Sequence, residues 1–331
     1  MLIIQTPLRI SLAGGGTDFP DYYQQYGGYV VSTAIDKYIY VIVNARYDDK
    51  IYVDYSRKEI VDHIDEIQHD LVREAARMTG MVPGFEVAMM ADIPSEGSGL
   101  GSSSSLTVGL LNAFYHYQGK QVEREVLAQQ ACEIEIDILG RPIGRQDQYI
   151  AAYGGLCGIR FEGKDGVKQV SVERLDLDEH QKRRLGSNLL LFFTDIVRKS
   201  SAILDEQKKK IADTTEAHHG IKELALRTQR ELLGGNYDAL GDILHQNWEL
   251  KRGLASGVTT DEIDLMYERA RTSGAVGGKI SGAGGGGFLL CYCQRGDQEE
   301  LREALGDYRE MPFMLEPFGS RVIFHQERYR W

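Results

Sequence analysis

Glycine is concentrated in three short segments that also hold hydroxyl, acidic and basic side chains suited to phosphate and sugar chemistry. The middle segment, IPSEGSGLGSSSS at 93–105, lies between a predicted strand and a predicted helix. Glycines at alternate positions allow the backbone to turn tightly and approach a ligand. Serines favour a helix start, and a helix N-terminus offers free N–H groups to an anion. This segment therefore predicts a phosphate-binding loop.

Two familiar kinds of phosphate loop are excluded by single residues in this segment. A Walker A loop needs a lysine directly after its final glycine, where this chain has Ser102. The dinucleotide-binding fingerprint needs a third glycine where this chain has Ser104. A flexible Ser/Gly loop without a ligand is the alternative interpretation, and the position at a strand–helix junction argues against it.

The first glycine segment, PLRISLAGGGTD at 7–18, ends in a carboxylate that could bind a sugar. Small residues let a substrate lie against the backbone, and Asp18 could accept hydrogen bonds from two sugar hydroxyls. Asp is also a favoured N-cap, so Asp18 could instead cap a helix that begins near Phe19. Both interpretations stay open on the residues alone.

The third glycine segment, KISGAGGGGF at 279–288, joins two predicted strands. Its bare backbone could surround an anionic group with N–H donors. The alternative is a tight hairpin turn, but about two to four residues suffice for such a turn.

Acidic residues between the second and third glycine segments are candidates for catalysis and for metal binding. Asp147 follows Arg145, and a carboxylate near a cation stays ionised and can accept a proton from a hydroxyl. A solvated surface position is the alternative for Asp147. Glu133 and Glu135 stand in an apolar stretch, which suggests a metal site for one of them, and serine hydroxyls can complete such a site.

The elements that must position these segments follow from hydrophobic periodicity. Helices are predicted at 71–78, from about 102 to 117, at 122–139 and over most of 199–273. Strands are predicted at 2–12, 29–34, 38–45, 51–55, 85–93, 156–161, 167–172, 188–196, 276–281, 288–293, 311–316 and 322–324. The pattern predicts an α+β protein with two domains, at 1–185 and 186–331.

Composition excludes several classes of protein. The 331 residues include 37 glycines without a three-residue period, which argues against a collagen-like chain. A formal net charge of −11 argues against a non-specific nucleic-acid binder. No stretch approaches the roughly 18 apolar residues of a membrane-spanning helix, and the start lacks the features of a signal peptide. We expect a cytoplasmic protein without membrane or nucleic-acid partners.

The three glycine segments and the Asp147 segment together resemble the GHMP kinase superfamily, whose motifs occur in this order. Within it, LRISLAGGGTDFPDYY, ACEIEIDILGRPIGRQDQYIAAYGG and FTDIVRKSSAIL are similar to the D-glycero-D-manno-heptose 7-phosphate kinase branch. The resemblance implies an N-terminal ribosomal-protein-S5-like domain and a C-terminal ferredoxin-like domain with added helices. Substrates would lie in the cleft between the two domains, and the phosphate donor would be ATP.

The resemblance also implies roles for individual residues. Asp147 would be the catalytic base, and Arg9 would lie near the transferred phosphoryl group. Magnesium would bind Ser103 and Glu135, with Glu133 as the alternative carboxylate. Residues implied to bind ATP are Pro94, Gly97, Ser98, Gly99, Leu100, Gly101, Ser102, Ser103 and Ser104. Residues implied or proposed to bind the sugar phosphate are Gly15, Gly16, Thr17, Asp18, Arg145, Arg198, Gly284 and Gly285, with Lys199 as a further candidate.

The implied activity is transfer of the ATP γ-phosphoryl group to the anomeric hydroxyl of a heptose 7-phosphate. Kinases for L-fucose or galactose share parts of the pattern, so another anomeric sugar kinase is an alternative. A non-catalytic sugar or nucleotide sensor on the same fold is a second alternative. The implied partners are a sugar phosphate, ATP and Mg²⁺, while the oligomeric state stays open, with a homodimer as one option.

Overall fold

A computed structural model describes residues 1–94, 97–164, 167–196 and 200–326. Arg198 and Lys199 lie outside these residues. The strands are β1 Leu2–Ala13, β2 Gly28–Ala45, β3 Ile51–Asp54, β4 Lys58–Val61, β5 Phe85–Ala91, β6 Leu156–Lys164, β7 Val167–Arg174, β8 Leu189–Phe193, β9 Ala275–Ile280, β10 Phe288–Cys293 and β11 Arg321–His325. The helices are α1 Pro20–Tyr26, α2 Asp70–Thr79, α3 Ser102–Tyr117, α4 Arg124–Cys132, α5 Gln146–Tyr153, α6 Glu179–Gly186, α7 Ser200–Lys209, α8 Thr215–Leu233, α9 Ala239–Arg252, α10 Asp261–Thr272 and α11 Gln298–Ala304.

The larger of two sheets is built around the long strand β2. One half of β2 pairs with β5 and the other half with β6, while β1 pairs along most of its length. The strand order is β11-β1-β2-β5-β3-β4, and the hairpin β6–β7 extends from β2. Strands 29–34 and 38–45, predicted as two, are therefore one continuous strand. Because β2 is long, it links the hairpin to the rest of the sheet.

The smaller sheet is antiparallel, in the order β8-β10-β9. Helix α9 packs against β9, whereas α8 packs against β1 and β2 of the larger sheet. The main hydrophobic core accordingly runs from Ile10 and Val31 in the first sheet to Ile243 and Leu290 around the second. Strands β1 and β9 thereby both contribute residues to one cleft.

The last described strand differs from the predicted domain division. β11 pairs antiparallel with β1, so a segment within 186–331 completes the sheet formed by 1–185. The predicted strand at 311–316 is irregular, with a single bridge between Leu315 and Ile35. Apolar residues in that segment pack on the core without a continuous hydrogen-bond ladder, which explains their strand-like pattern.

Helices over 70–79, 102–117 and 200–272 agree with the predicted pattern, including breaks near Gly234 and Gly253. The predicted helix at 122–139 divides into α4 and a π-helical segment, Glu133–Ile138. In this segment the Leu139 N–H donates to the Ile134 carbonyl, five residues back. The strand-like alternation of EIEIDIL is therefore accommodated in a widened helical turn.

Candidate active site

A cavity of about 620 Å³ brings the three glycine segments together. Its walls are formed by the ends of β1 and β9, the start of α3, the start of α5 and the end of α9. Its charged and polar lining side chains include Arg9, Ser11, Asp18, Ser98, Ser102, Ser103, Ser104, Arg141, Gln146, Asp147, Ser200, Ser201, Gln207, Lys251, Lys279 and Ser281.

The middle glycine segment forms a tight loop that ends at the N-terminus of α3. Gly97, Gly99 and Gly101 have φ values of +71°, +71° and +79°, a region that favours glycine. Gly101 is the N-cap of α3, so the serines after it form the first helical turn. Glycine occurs at every second position of the loop because the backbone is left-handed at those positions.

The third glycine segment packs directly against this loop. A Cβ atom on Gly99 would lie 2.4 Å from the Ser281 carbonyl oxygen. A Cβ atom on Gly282 would lie 2.6 Å from the Gly99 Cα. The two backbones therefore touch without side chains between them, which requires glycine on both sides of the contact.

Most residues assigned to ATP binding line the cavity, and two do not. The loop glycines 97, 99 and 101 and the serines 98 and 102–104 are all in its wall. Leu100 is buried in the main core, and its carbonyl accepts from the Arg9 N–H at 3.0 Å. Pro94 is exposed and lies outside the lining. Leu100 therefore anchors the loop to the core, and Pro94 precedes the loop.

Arg9 and Asp147 form a bidentate ion pair in the cavity wall. The Arg9 Nε donates to Asp147 Oδ1 at 2.7 Å, and Nη2 donates to Oδ2 at 2.6 Å. The third guanidinium nitrogen, Nη1, donates to the Gly99 carbonyl at 2.7 Å. Asp147 lies in the first turn of α5, where the helix dipole favours a negative charge. One arginine thus links the candidate base to the phosphate loop.

Ser103 and Glu135 meet at the start of α3. The Ser103 hydroxyl donates to Glu135 Oε1 at 2.7 Å, and the Gln148 amide donates to Oε2 at 2.8 Å. Glu135 is fully buried, whereas Glu133 on the same π-helical segment is exposed. Burial raises the pKa of Glu135, and hydrogen bonds from Ser103 and Ser104 oppose that rise. Of the two glutamates considered, Glu135 is the one beside Ser103.

This pair fits the donor chemistry of a magnesium ion. Mg²⁺ prefers oxygen ligands and in kinases usually combines one or two carboxylates with phosphate oxygens of the substrate. Among the described residues, no group of three or more His, Cys, Asp or Glu side chains is placed to hold a metal. Phosphate oxygens of a nucleotide and water molecules would complete the coordination.

Asp18 is buried at the cavity wall and held by backbone donors. Its Oδ1 accepts from the Gly16 N–H at 2.9 Å, and its Oδ2 accepts from the Gln146 N–H at 3.1 Å. Burial raises the pKa of Asp18, while the Gln146 hydrogen bond lowers it. Phe19, rather than Asp18, is the N-cap of α1, and no side chain caps that helix. The capping interpretation of Asp18 is therefore wrong.

The other residues of the first segment divide between the cavity and the interior. Gly15 and Gly16 line the cavity beside Asp18. Thr17 is fully buried, and its hydroxyl donates to the Gly14 carbonyl at 2.8 Å. Thr17 therefore fixes the turn, and nothing in its position gives it access to a ligand.

Residues 284 and 285 of the third segment are also placed differently from each other. Gly284 lines the cavity and Gly285 does not. The Gly285 N–H donates to the Val258 carbonyl at 2.7 Å, so it is used within the protein. Only part of this bare backbone faces the cavity.

Arg145, expected to bind the substrate's phosphate, is absent from the cavity lining. Its side chain is buried, with Nη2 4.0 Å from Asp137 Oδ2. Two lysines that the sequence analysis did not assign, Lys251 and Lys279, do line the cavity. Lys279 could have been predicted as a site residue, because it begins the third glycine segment. Lys251 could not, because it lies in the helical pattern of α9 and no nearby motif marks it.

Comparison with known proteins identifies the family. Residues 66–155 match the GHMP kinases N terminal domain, and residues 224–309 match the GHMP kinases C terminal domain. A D-glycero-alpha-D-manno-heptose 7-phosphate kinase of Campylobacter jejuni is 34% identical over 91% of this chain and 92% of its own length. The chain belongs to the GHMP kinase family.

Other relatives agree with this GHMP kinase fold. The crystal structure of a D-glycero-D-manno-heptose 1-phosphate kinase from Bacteroides thetaiotaomicron is 27% identical, with a TM-score of 0.82 over 99% of this chain and all of that one. A galactokinase of Thermotoga maritima is 24% identical over 98% of this chain and 97% of its own length. The protein is an ATP-dependent sugar kinase with the predicted two-domain α+β fold. No helix within the described ranges has the length and hydropathy to cross a bilayer.

Proposed function

We propose that this kinase transfers the γ-phosphoryl group of ATP to the anomeric hydroxyl of D-glycero-D-manno-heptose 7-phosphate, giving the 1,7-bisphosphate. The observation that carries the proposal is the Arg9–Asp147 pair, which joins a candidate base to the phosphate loop through Gly99. The choice of sugar is supported by the 34% identical heptose 7-phosphate kinase relative.

In this proposal Asp147 accepts the proton of the anomeric hydroxyl. The hydroxyl oxygen forms a bond to the γ-phosphorus while the bond from that phosphorus to the bridging oxygen of ADP breaks. Arg9 holds the Asp147 carboxylate in place through two hydrogen bonds and stabilises negative charge on the moving phosphoryl group. Backbone N–H groups at the start of α3 bind the nucleotide phosphates.

Ser103 and Glu135 would hold Mg²⁺ together with nucleotide phosphate oxygens. When bound, the ion neutralises charge on the phosphates. Asp18 would accept hydrogen bonds from sugar hydroxyls, since its carboxylate is held at the cavity wall by two backbone N–H groups. Gly15 and Gly16 beside it leave room for the sugar ring.

A substrate panel with ADP detection tests this assignment. It compares D-glycero-D-manno-heptose 7-phosphate with the 1-phosphate, the unphosphorylated heptose, L-fucose and galactose. Both heptose monophosphates could give the same bisphosphate, so each must be supplied separately. We expect turnover with the 7-phosphate and a kcat/KM far above that for the others. Preference for another sugar would overturn the choice of substrate, and sugar binding without ADP release would favour the sensor alternative.

A further inference from the structure

Two buried lysines, Lys251 and Lys279, lie in the cavity wall without a carboxylate partner. The Lys251 ammonium donates to the carbonyls of Ile280, at 3.3 Å, and Gly282. The Lys279 ammonium donates to the Leu12 carbonyl at 3.4 Å. Among the described residues, neither forms an ion pair with an acidic side chain. A buried charge that is not held in an ion pair is unfavourable, so an anionic ligand would stabilise both.

The charge balance of the cavity favours the same class of ligand. Of its four lining cations, Arg9 is paired with Asp147, and Arg141 with Asp70 and Glu135, whereas Lys251 and Lys279 form no ion pair among the described residues. The whole chain carries a formal net charge of −11. Burial, and then the charge of Arg9, lower the pKa of Lys251 to about 7, although the negative charge of Asp18 opposes this shift. A bound anion between these cations would favour their charged forms and raise the pKa of Lys251.

Two serine hydroxyls stand beside these lysines without a partner. Ser11 Oγ and Ser281 Oγ are buried in the cavity wall, and neither has a hydrogen-bond partner among the described residues. Most buried polar groups are hydrogen-bonded, so unpartnered hydroxyls on residues that line a cavity indicate a ligand with acceptor oxygens.

The backbone explains why these groups converge. Ser11 follows Arg9 by two residues on β1, and Ser281 follows Lys279 by two residues at the end of β9. Side chains two residues apart on a strand share a face. The bond from Lys279 to the Leu12 carbonyl joins the two strands, and the carbonyls bound by Lys251 flank Ser281.

We propose that Ser11, Ser281, Lys251 and Lys279 form a phosphate subsite separate from the backbone phosphate loop. The two hydroxyls donate to phosphate oxygens, and the two ammonium groups neutralise the dianion. The inference rests on the proposed function, since that reaction brings two suitable groups, the phosphate of the sugar and the terminal phosphate of ATP. It supplies the cations that Arg145 does not bring to the cavity.

The test measures dissociation constants by calorimetry for Ser11→Ala and Ser281→Ala. Neither substitution removes a hydrogen bond within the protein, so both variants should fold normally. The matched control is Ser32→Ala on the neighbouring strand, whose buried hydroxyl donates to the Ile10 carbonyl at 3.0 Å. The ligands are heptose 7-phosphate, unphosphorylated heptose, ADP and a non-hydrolysable ATP analogue.

We expect each cavity variant to weaken binding of one phosphate ligand about tenfold, as for a lost hydrogen bond to a charged group. Weaker binding of heptose 7-phosphate but not of heptose assigns the subsite to the sugar's phosphate. Weaker binding of the ATP analogue but not of ADP assigns it to the terminal phosphate. The Ser32→Ala control should lower the melting temperature and leave every dissociation constant unchanged.

Dissociation constants within about twofold of wild type for both serine variants and for Lys251→Met would overturn the subsite. Turnover of heptose 7-phosphate by the unaltered enzyme is measured alongside, so that the two proposals can fail separately. If that turnover is present and the variants bind normally, only the subsite fails. If it is absent but the serine variants bind a phosphate ligand more weakly, the subsite stands and the choice of substrate fails.

Discussion

Substituting Asp147 by asparagine separates the proposed proton acceptor from the architecture that holds it. Asp147 accepts two hydrogen bonds from Arg9, at 2.7 and 2.6 Å, and Asn has nearly the same shape. The amide can accept only one of these bonds and cannot take up the proton of a hydroxyl. In the proposed site, the nucleotide would bind the loop and the start of α3 without using this carboxylate.

The size of the effect follows from these contacts. Loss of general-base catalysis lowers a rate by about 10²- to 10⁴-fold, so kcat should fall within that range. One hydrogen bond to a charged group is worth about 1.5 to 3 kcal/mol. The Asp147 side chain is 22% exposed, which reduces that loss. The free energy of unfolding should therefore fall by about 1 to 2 kcal/mol, leaving the protein folded.

The assay combines coupled ADP release with calorimetric binding of ATP. The matched control is Asp48→Asn, since Asp48 makes a second bidentate pair, with Arg46 at 3.1 Å, at a half-buried position outside the cavity lining. We expect Asp48→Asn to leave kcat unchanged and Asp147→Asn to keep the dissociation constant for ATP within about threefold. A kcat for Asp147→Asn close to wild type would refute the role of Asp147 as base.

Three other predictions follow from the cavity. Gly99→Ala places a Cβ atom 2.4 Å from the Ser281 carbonyl oxygen, and we expect it to raise KM for ATP at least about tenfold in steady-state assays. The matched control is Gly119→Ala, because Gly119 has a similar positive φ but no atom within 4 Å of an added Cβ, so KM for ATP should not change. Glu135→Gln removes the candidate magnesium carboxylate and should raise the Mg²⁺ concentration for half-maximal rate, while a titration superimposable on wild type would exclude it as a ligand. Burial and Arg9 lower the pKa of Lys251 to about 7, so the unfolded chain binds more protons above pH 7. From about pH 7 to 9 the unfolding free energy of wild type should therefore rise by about 2 kcal/mol relative to Lys251→Met, and parallel urea curves without this difference would contradict the pKa.

The motifs predicted the family and the two-domain α+β fold, and both are confirmed. Residue propensities were sufficient to predict the phosphate loop, because its chemistry and its backbone geometry both come from one short segment. Gly97, Gly99 and Gly101 are needed at alternate positions because each has positive φ, and such a requirement is visible in sequence. The roles assigned to Asp147, Arg9 and Ser103 stay predictions that the cavity geometry supports.

Side-chain direction could not be predicted in the same way. Arg145 precedes Asp147 by two residues, yet it is buried away from the cavity while Asp147 faces it, because α5 begins between them. Lys251 reaches the cavity only because α9 packs against β9, a contact between segments distant in sequence. Glu135, rather than Glu133, lies beside Ser103, and both belong to a π-helical turn that hydrophobic periodicity does not reveal.

The pairing of β11 with β1 has a consequence for synthesis of the protein. β1 carries Arg9 and Ser11, and its first residues gain their second neighbour only when residues 321–325 are available. A nascent chain that stops earlier exposes that edge to pairing with other chains. The strand that supplies the cavity with its first cation is thus also among the last to be fully enclosed on the ribosome.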